Sequence, residues 1–174
     1  MRDSNPRWPG RVALLSLVMG AFCLFAGSSL AEAGSLGGTV WNLTGTGTTQ
    51  AGSFSNMKPF TATLTFNPDR TYTLRFTSAL FPDNDGVWFE NAGRVVLYQQ
   101  NLLAELRATE LMLWGALGTP VELELLKYEE SATPAKTLGS LTFRATYQFN
   151  ASVPSQGFLI GVTVRLKATG TPGS

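Results

Sequence analysis

The feature that most constrains the fold is an alternation of apolar and polar side chains that continues along most of the chain after residue 58. Apolar residues occupy every second position of 59–66 and 71–78, and threonines fill most positions between them. A period of two places successive side chains on opposite faces of a strand, so one face is buried and the other is solvated. The turn Asn67-Pro-Asp-Arg70 joins these two segments, which predicts a β-hairpin.

Further strands follow the same pattern. The segments 86–90 and 94–98 flank the turn Asn91-Ala-Gly93, in which Gly93 is expected to adopt a positive φ. Segment 121–125 alternates leucine with glutamate, and two longer segments, 141–149 and 158–166, predict a second hairpin near the C-terminus.

The rest of the chain gives weaker patterns. Residues 37–47 predict the first strand, whereas 47–58 and 129–137 predict loops and 168–174 a frayed tail. Segment 102–114 favours a pair of strands, with a short helix as the alternative because it is rich in Leu, Ala, Glu and Met. The fold class is therefore all-β: a single antiparallel meander barrel of about eight strands, or alternatively a two-sheet β-sandwich.

The N-terminus has the layout of a secretory signal peptide. Arg2, Arg7 and Arg11 precede an apolar run from Val12 to Phe25, and Ala31-Glu-Ala33 fits a cleavage site. We expect residues 1–33 to be a signal peptide and 34–174 the all-β domain. The apolar run is shorter than the roughly 20 residues that span a bilayer, so no transmembrane segment is expected after cleavage.

Cysteine and charge narrow the location and the partners. The one cysteine, Cys23, falls inside the signal peptide, and a small exported domain without disulfides suggests a bacterial periplasmic or extracellular protein. Residues 34–174 contain ten basic and ten acidic residues. This neutral balance, without any basic cluster, argues against nucleic acid as a partner.

The absence of histidine restricts the possible catalytic and metal-binding chemistry more than any other feature of the sequence. Without histidine, catalytic systems of the Ser-His-Asp and Cys-His types are excluded, and so are the usual ligand sets for zinc, copper and iron. Asp83-Asn-Asp-Gly86 is more typical of a turn than of a calcium loop. Glu122, Glu124, Glu129 and Glu130 are more typical of a solvated strand face than of a catalytic pair. We therefore expect no enzyme, no metal and no cofactor.

The best candidates for binding are aromatic residues, which either line a ligand cavity or pack a core. They are Trp41, Trp88, Tyr98, Trp114 and Tyr147.

The segment Gly38-Thr-Val-Trp41, at the start of a meander of about eight strands, resembles the first strand of lipocalin-like (calycin) barrels. Those barrels carry Gly-x-Trp there, with one residue fewer between glycine and tryptophan. The resemblance implies a cup for a small apolar molecule. It also implies barrel closure by Trp41 with Arg165, or Lys167, from the last strand over its ring. The expected function is an exported, non-enzymatic binding barrel, and the alternative is a structural or adhesive envelope β-sandwich that acts through protein–protein contacts.

Overall fold

The computed structural model describes residues 36–78 and 81–173. The predicted signal peptide lies outside these residues. The described chain forms eight strands and one α-helix, here numbered in chain order. They are β1 (Thr39–Ala51), β2 (Phe54–Phe66), β3 (Thr71–Phe76), β4 (Asn84–Asn91), β5 (Arg94–Gln99), α1 (Leu102–Leu117), β6 (Glu122–Pro134), β7 (Leu141–Val153) and β8 (Phe158–Pro172).

The strands form a closed antiparallel barrel in which every strand pairs with its neighbours in sequence and β8 returns to β1. The predicted meander barrel is confirmed, and the alternative sandwich is not formed. This architecture is compatible with a lipocalin-like fold. Closure pairs each strand with two neighbours, which removes the two free edge strands of an open sheet.

The predicted hairpins are confirmed. In β2–β3, Leu64 pairs with Leu74 across the turn 67–70. In β4–β5, Ala92 and Gly93 have φ values of 51° and 78°, the left-handed pair that a two-residue hairpin turn requires. In β7–β8, Phe143 pairs with Ala168.

The predicted loops at 47–58 and 129–137 and the frayed tail at 168–174 are wrong. β1 and β2 continue to a tight turn at residues 52–53, β6 extends to Pro134, and β8 extends to Pro172 opposite Trp41. Gly47, which suggested a loop, serves close packing instead, because a Cβ there would overlap the Phe81 ring. Within the predicted first strand, a Cβ at Gly45 would overlap the carbonyl oxygen of Lys167, so the seam between β1 and β8 requires glycine there.

The strand interpretation of 102–114 is also wrong, because this segment lies within α1. Its strong helix formers outweigh the influence of the flanking strands. Gly118 ends the helix in a left-handed conformation (φ 69°), and its N–H donates to Trp114 O. Nowhere in the described residues does a helix reach the length and hydrophobicity needed to cross a bilayer.

The two ends of the barrel differ. The turns β2–β3, β4–β5 and β6–β7 lie at the end that we call the closed end, and α1 with the turns β1–β2 and β7–β8 lies at the open end. Leu36 precedes β1 beneath the closed end, where Thr39 Oγ1 donates to Leu36 O at 2.6 Å. Large apolar side chains that are almost completely buried pack toward the closed end. They are Trp41, Leu43, Leu64, Phe66, Tyr72, Leu74, Leu97, Leu141 and Phe143.

The apolar residues of the alternating segments lie on the inward face of the barrel, as the alternation predicts. Phe60, Leu64, Phe66, Leu74, Phe143 and Leu166 are buried, and Phe76, Tyr147 and Val164 pack against this core while partly exposed. Val162 is also partly exposed.

Replacing Phe143 with alanine should lower the free energy of unfolding by about 3–5 kcal/mol, because the ring is fully buried and its loss leaves a cavity. Chemical denaturation measures this loss. Arg144→Ala, at the exposed next position, is the control and should change stability by less than about 0.5 kcal/mol. Equal effects of the two substitutions would contradict the assignment of the inward face.

Candidate functional site

The candidate site is a cavity of about 250 Å³ at the open end, between the upper barrel wall and α1. Helix residues Leu102 and Leu106 cover it from one side, while side chains from the strands and the β3–β4 loop form its walls. Most of the lining is apolar, which suits an apolar ligand. The main apolar wall residues are Phe76, Phe81, Leu123, Leu125, Phe149, Val164 and Leu166.

Helix α1 is fastened over this cavity by a carboxylate. Glu110 Oε1 accepts from Leu123 N at 2.8 Å, at the start of β6, and Glu110 Oε2 accepts from Arg107 Nη1 at 2.6 Å. The hydrogen bond from the backbone N–H of Leu123 and the one from the Arg107 side chain hold the pKa of Glu110 below its usual value. The ionised carboxylate thus ties the helix to the barrel wall.

Six polar side chains interrupt the apolar lining: Thr49, Asn84, Gln99, Glu105, Thr109 and Tyr147. Asn84 and Tyr147 lie close together. The amide of Asn84 lies 3.5 Å from Tyr147 Oη, and Asn84 is buried. The Tyr147 ring packs against the ring of Tyr128, with centroids 5.6 Å apart. A polar group on a ligand would find hydrogen-bonding partners here, at the inner side of an otherwise apolar cavity.

A buried carboxylate lies next to these polar residues. Glu130 is 2% exposed, and its Oε2 accepts from Tyr128 Oη at 2.7 Å and from Tyr72 Oη at 3.1 Å. Burial raises the pKa of Glu130 to about 7, although the hydrogen bonds from Tyr128, Tyr72 and Asn84 lower it in part. Burial and the nearby Glu130 raise the pKa of Tyr72 and of Tyr128, so both hydroxyls stay neutral and donate.

Glu130 points inward because of a β-bulge. The register of β6 against β7 shifts between Leu125 and Lys127. Above the bulge the odd residues Leu123 and Leu125 face the cavity, and below it the even residues Tyr128 and Glu130 face inward. Strict alternation from Leu123 places Glu130 on the solvated face, and so the sequence interpretation missed it. The adjacent pair Leu125-Leu126, which breaks the alternation, is the available signal.

The same side chains bridge a gap in the barrel wall. β5 and β6 pair only at Val95–Ala132 and Val96–Ser131. Above these pairs, Gln99 N donates to Tyr128 Oη at 2.9 Å, so a side chain replaces the missing backbone partner. A cleft of about 210 Å³ opens on the wall here, and its lining includes Tyr98 and Glu130.

The five aromatic candidates lie in different parts of the structure and do not form one site. Tyr147 lines the cavity. Trp41 and Trp88 are buried toward the closed end, as part of the core. Tyr98 is 48% exposed and stacks on Phe89 with 5.3 Å between centroids, and Trp114 is 47% exposed on α1.

The predicted proximity of β1 and β8 is confirmed, but the barrel-closure contact of Trp41 with Arg165 is wrong. Trp41 pairs with Pro172, whereas Arg165 pairs with Thr48 and Lys167 with Thr46, farther along the seam. Trp41 is buried, and both basic residues are exposed on the alternate face. Because β8 continues five residues beyond Lys167, its last residues reach Trp41 instead.

The two buried tryptophans near the closed end make other contacts instead of the expected one with Arg165. Trp41 Nε1 donates to Thr39 Oγ1 at 2.9 Å. The Arg70 guanidinium lies 5.1 Å from the centroid of the Trp88 ring, which is a cation–π distance.

Of the remaining carboxylates, Glu105 on α1 lines the cavity, and the others lie outside it. Asp83 and Asp85 both contact Arg75, at 3.8 and 2.6 Å. Glu122 and Glu124 are exposed at the start of β6. Across residues 36–78 and 81–173, no group of three or more potential metal ligands from His, Cys, Asp and Glu lies together.

No protein-family model matches this sequence, and no curated protein matches it either. The candidate site therefore stands on its geometry alone.

Glu130→Gln should change how stability depends on pH. The carboxyl has a pKa of about 7 in the folded chain against 4.5 ordinarily, so the native state binds more protons between these values. Wild-type stability should consequently fall as pH rises from about 4.5 to about 7 relative to Glu130→Gln, by on the order of 3 kcal/mol. Denaturation midpoints across this window measure the difference.

The control is Glu129→Gln, the exposed neighbour that pairs with Lys127 at 3.2 Å. Its stability curve should run parallel to the wild-type curve. If Glu130→Gln also runs parallel, the buried carboxyl does not titrate in this range and the description of the cluster fails.

Proposed function

We propose that this chain is an exported, non-enzymatic binding protein that holds a small, mainly apolar molecule in the cavity at the open end of its barrel. The observation that carries the proposal is the cavity of about 250 Å³ with an apolar wall from β6, β7 and β8 and a cover from α1. Sites for small molecules are concave and mainly apolar with a few polar groups, and this covered space at the open end has those properties.

The size of the cavity limits the ligand. An apolar cavity of roughly 150 Å³ accommodates a benzene ring. A space of about 250 Å³ therefore suits a molecule with one or two rings or a short branched chain. Asn84, Gln99 and Tyr147 would orient a hydroxyl or carbonyl group on that molecule, while the rest of its surface contacts hydrocarbon.

The barrel architecture supports a relation to the lipocalin-like (calycin) proteins, which the Gly38-Thr-Val-Trp41 segment also suggests. The relation would account for a cup with one open end. Since barrels of similar shape serve many roles, the choice of ligand rests on the cavity and not on the fold.

Binding is favoured over catalysis by the positions of the titratable groups. Of the cavity-lining side chains, Glu105 and Tyr147 are the ionisable ones, and burial raises the pKa of Tyr147 well above its usual value. Glu130 has the perturbed pKa that is typical of catalytic carboxyls, but Tyr128 and Tyr72 occupy its Oε2 and it does not line the cavity. Its role in this proposal is to fix the tyrosines beside the cavity.

Export remains part of the proposal. The arrangement of Arg2, Arg7 and Arg11 before an apolar run and Ala31-Glu-Ala33 supports a cleaved signal and a periplasmic or extracellular location.

The neutral two-ring fluorescent probe prodan, which carries one carbonyl group, tests the cavity. Val164 lines it, so Val164→Phe would occupy part of the space that the probe needs. We expect the wild-type protein to bind the probe with an increase in fluorescence and Val164→Phe to bind at least about tenfold more weakly, which corresponds to 1.4 kcal/mol.

The matched control is Arg165→Phe, at the next position of β8, where the side chain is exposed outside the barrel. It adds a ring of the same size and should leave probe affinity unchanged. Absence of saturable binding by wild-type protein, or equal affinity in Val164→Phe and wild type, would contradict the proposal.

A further inference from the structure

Large apolar side chains are exposed mainly around the open end of the barrel. They lie on three separate elements, namely the β1–β2 hairpin, the outer face of α1 and the start of β8. We call this set the apolar rim. Its members in the described residues are Phe54, Met57, Leu103, Leu111, Met112, Trp114, Leu117, Phe158 and Leu159.

Individual exposed apolar residues are common, but nine at one end of a small barrel form an unusual concentration. Their exposure ranges from 47% at Trp114 to 73% at Leu103. In the described residues, the other large exposed hydrophobic side chains are Tyr98 and Leu126, on the outer wall of β5 and β6. Extended exposed apolar surface of this kind marks an interaction site.

Charged residues are absent from several of the segments that carry the apolar rim. Three connections at the open end fall within stretches that contain no charged residue, namely 34–57, 111–121 and 145–164, whereas the β3–β4 loop at this end carries Asp83. The closed-end turns, in contrast, carry Asp69, Arg70 and Lys136. Burial of an unpaired charge is costly, so the open end is the end that can be removed from water.

Other charged groups also lie at the open end. Arg107 on α1 contacts Glu110, and Asp83 in the β3–β4 loop contacts Arg75. Glu105 on α1 and two exposed glutamates at the start of β6 add negative charge there, so this end does not suit a highly acidic partner.

We propose that the apolar rim docks on the surface of a neutral phospholipid bilayer, with the mouth of the barrel facing the lipid. Three arguments favour a lipid surface over a folded partner. The rim consists of side chains on separate turns and a helix and not of one continuous groove. Eight of its nine members lie in stretches without a charged residue, and it occupies the end of the barrel that holds the α1-covered cavity. Trp114 fits the region between headgroups and acyl chains, where tryptophan is favoured.

The inference goes beyond ligand binding and does not require it. If both hold, an apolar molecule passes between bilayer and cavity without crossing water, which avoids the unfavourable hydration of its surface.

The test uses protein recovered from the exported fraction and vesicles of phosphatidylcholine. Co-sedimentation measures binding, and acyl-chain-brominated lipids quench tryptophan fluorescence at the depth of the acyl chains. We expect wild-type protein to sediment with the vesicles and its fluorescence to be quenched. Because no net charge is involved, binding should not change between low and high salt.

The double variant Phe54→Ser with Leu159→Ser removes two side chains that are 60% and 66% exposed, so little folding free energy is lost. It should bind the vesicles at least about tenfold more weakly. The control Tyr98→Ser, at a residue 48% exposed on the outer wall of β5, should bind like wild type. Trp114→Phe should remove most of the quenching, since Trp41 and Trp88 are buried toward the closed end.

Failure of wild-type protein to sediment, or an equal loss of binding in Tyr98→Ser, would overturn the proposal. A wild-type dimer that the double variant converts to monomer, without vesicle binding, would assign the rim to a second copy of this chain and also overturn it. Val164→Phe, which occupies the cavity, should bind vesicles like wild type, so failure of the ligand proposal and failure of this one are distinguishable.

Discussion

The seam between β1 and β8 is the constraint on which the rest of the structure depends. It runs without interruption from Trp41 opposite Pro172 to Ala51 opposite Val162. A sheet of eight strands without this seam would have two open edges and a flattened interior. Because the seam closes, every inward side chain is enclosed, and the interior becomes a single space with two ends.

The side chains divide that space unevenly. Large rings and leucines fill the closed end, where Trp41, Phe66 and Tyr72 are almost fully buried. Toward the open end the wall residues are smaller or partly exposed, and α1 supplies the cover instead of a packed layer. The cavity is thus a consequence of where bulky residues occur along the strands, and the Glu130 cluster marks the boundary between packed core and cavity.

Much of the fold could be predicted from alternation, because one buried face and one wet face leave a period of two in the sequence. That signal identified β3, β7, most of β2 and the first part of β8, residues 158–166. It failed at 47–58, where Gly47 suggested a turn but instead permits close contact with Leu166 across the seam. Such a contact depends on a partner more than 100 residues away, which no local pattern contains.

The candidate site was less predictable than the fold. Aromatic composition identified Tyr147, but it could not distinguish a cavity wall from a core, as Trp41 and Trp88 show. The bulge at Leu125–Lys127 reverses the facing of β6 and places Glu130 inside. The helix α1 gave an ambiguous pattern because its outer face is also apolar, which is the feature that the rim proposal uses.

Disulfide trapping across the seam tests barrel closure most directly. Thr44 and Thr169 are paired and exposed, so cysteines at both positions, with Cys23→Ser, should form a disulfide under mild oxidation and raise the denaturation midpoint. The offset pair Thr44→Cys with Lys167→Cys should form it much more slowly, because Lys167 pairs with Thr46. Failure of the first pair to crosslink, or faster crosslinking of the offset pair, would contradict the closed barrel in this register.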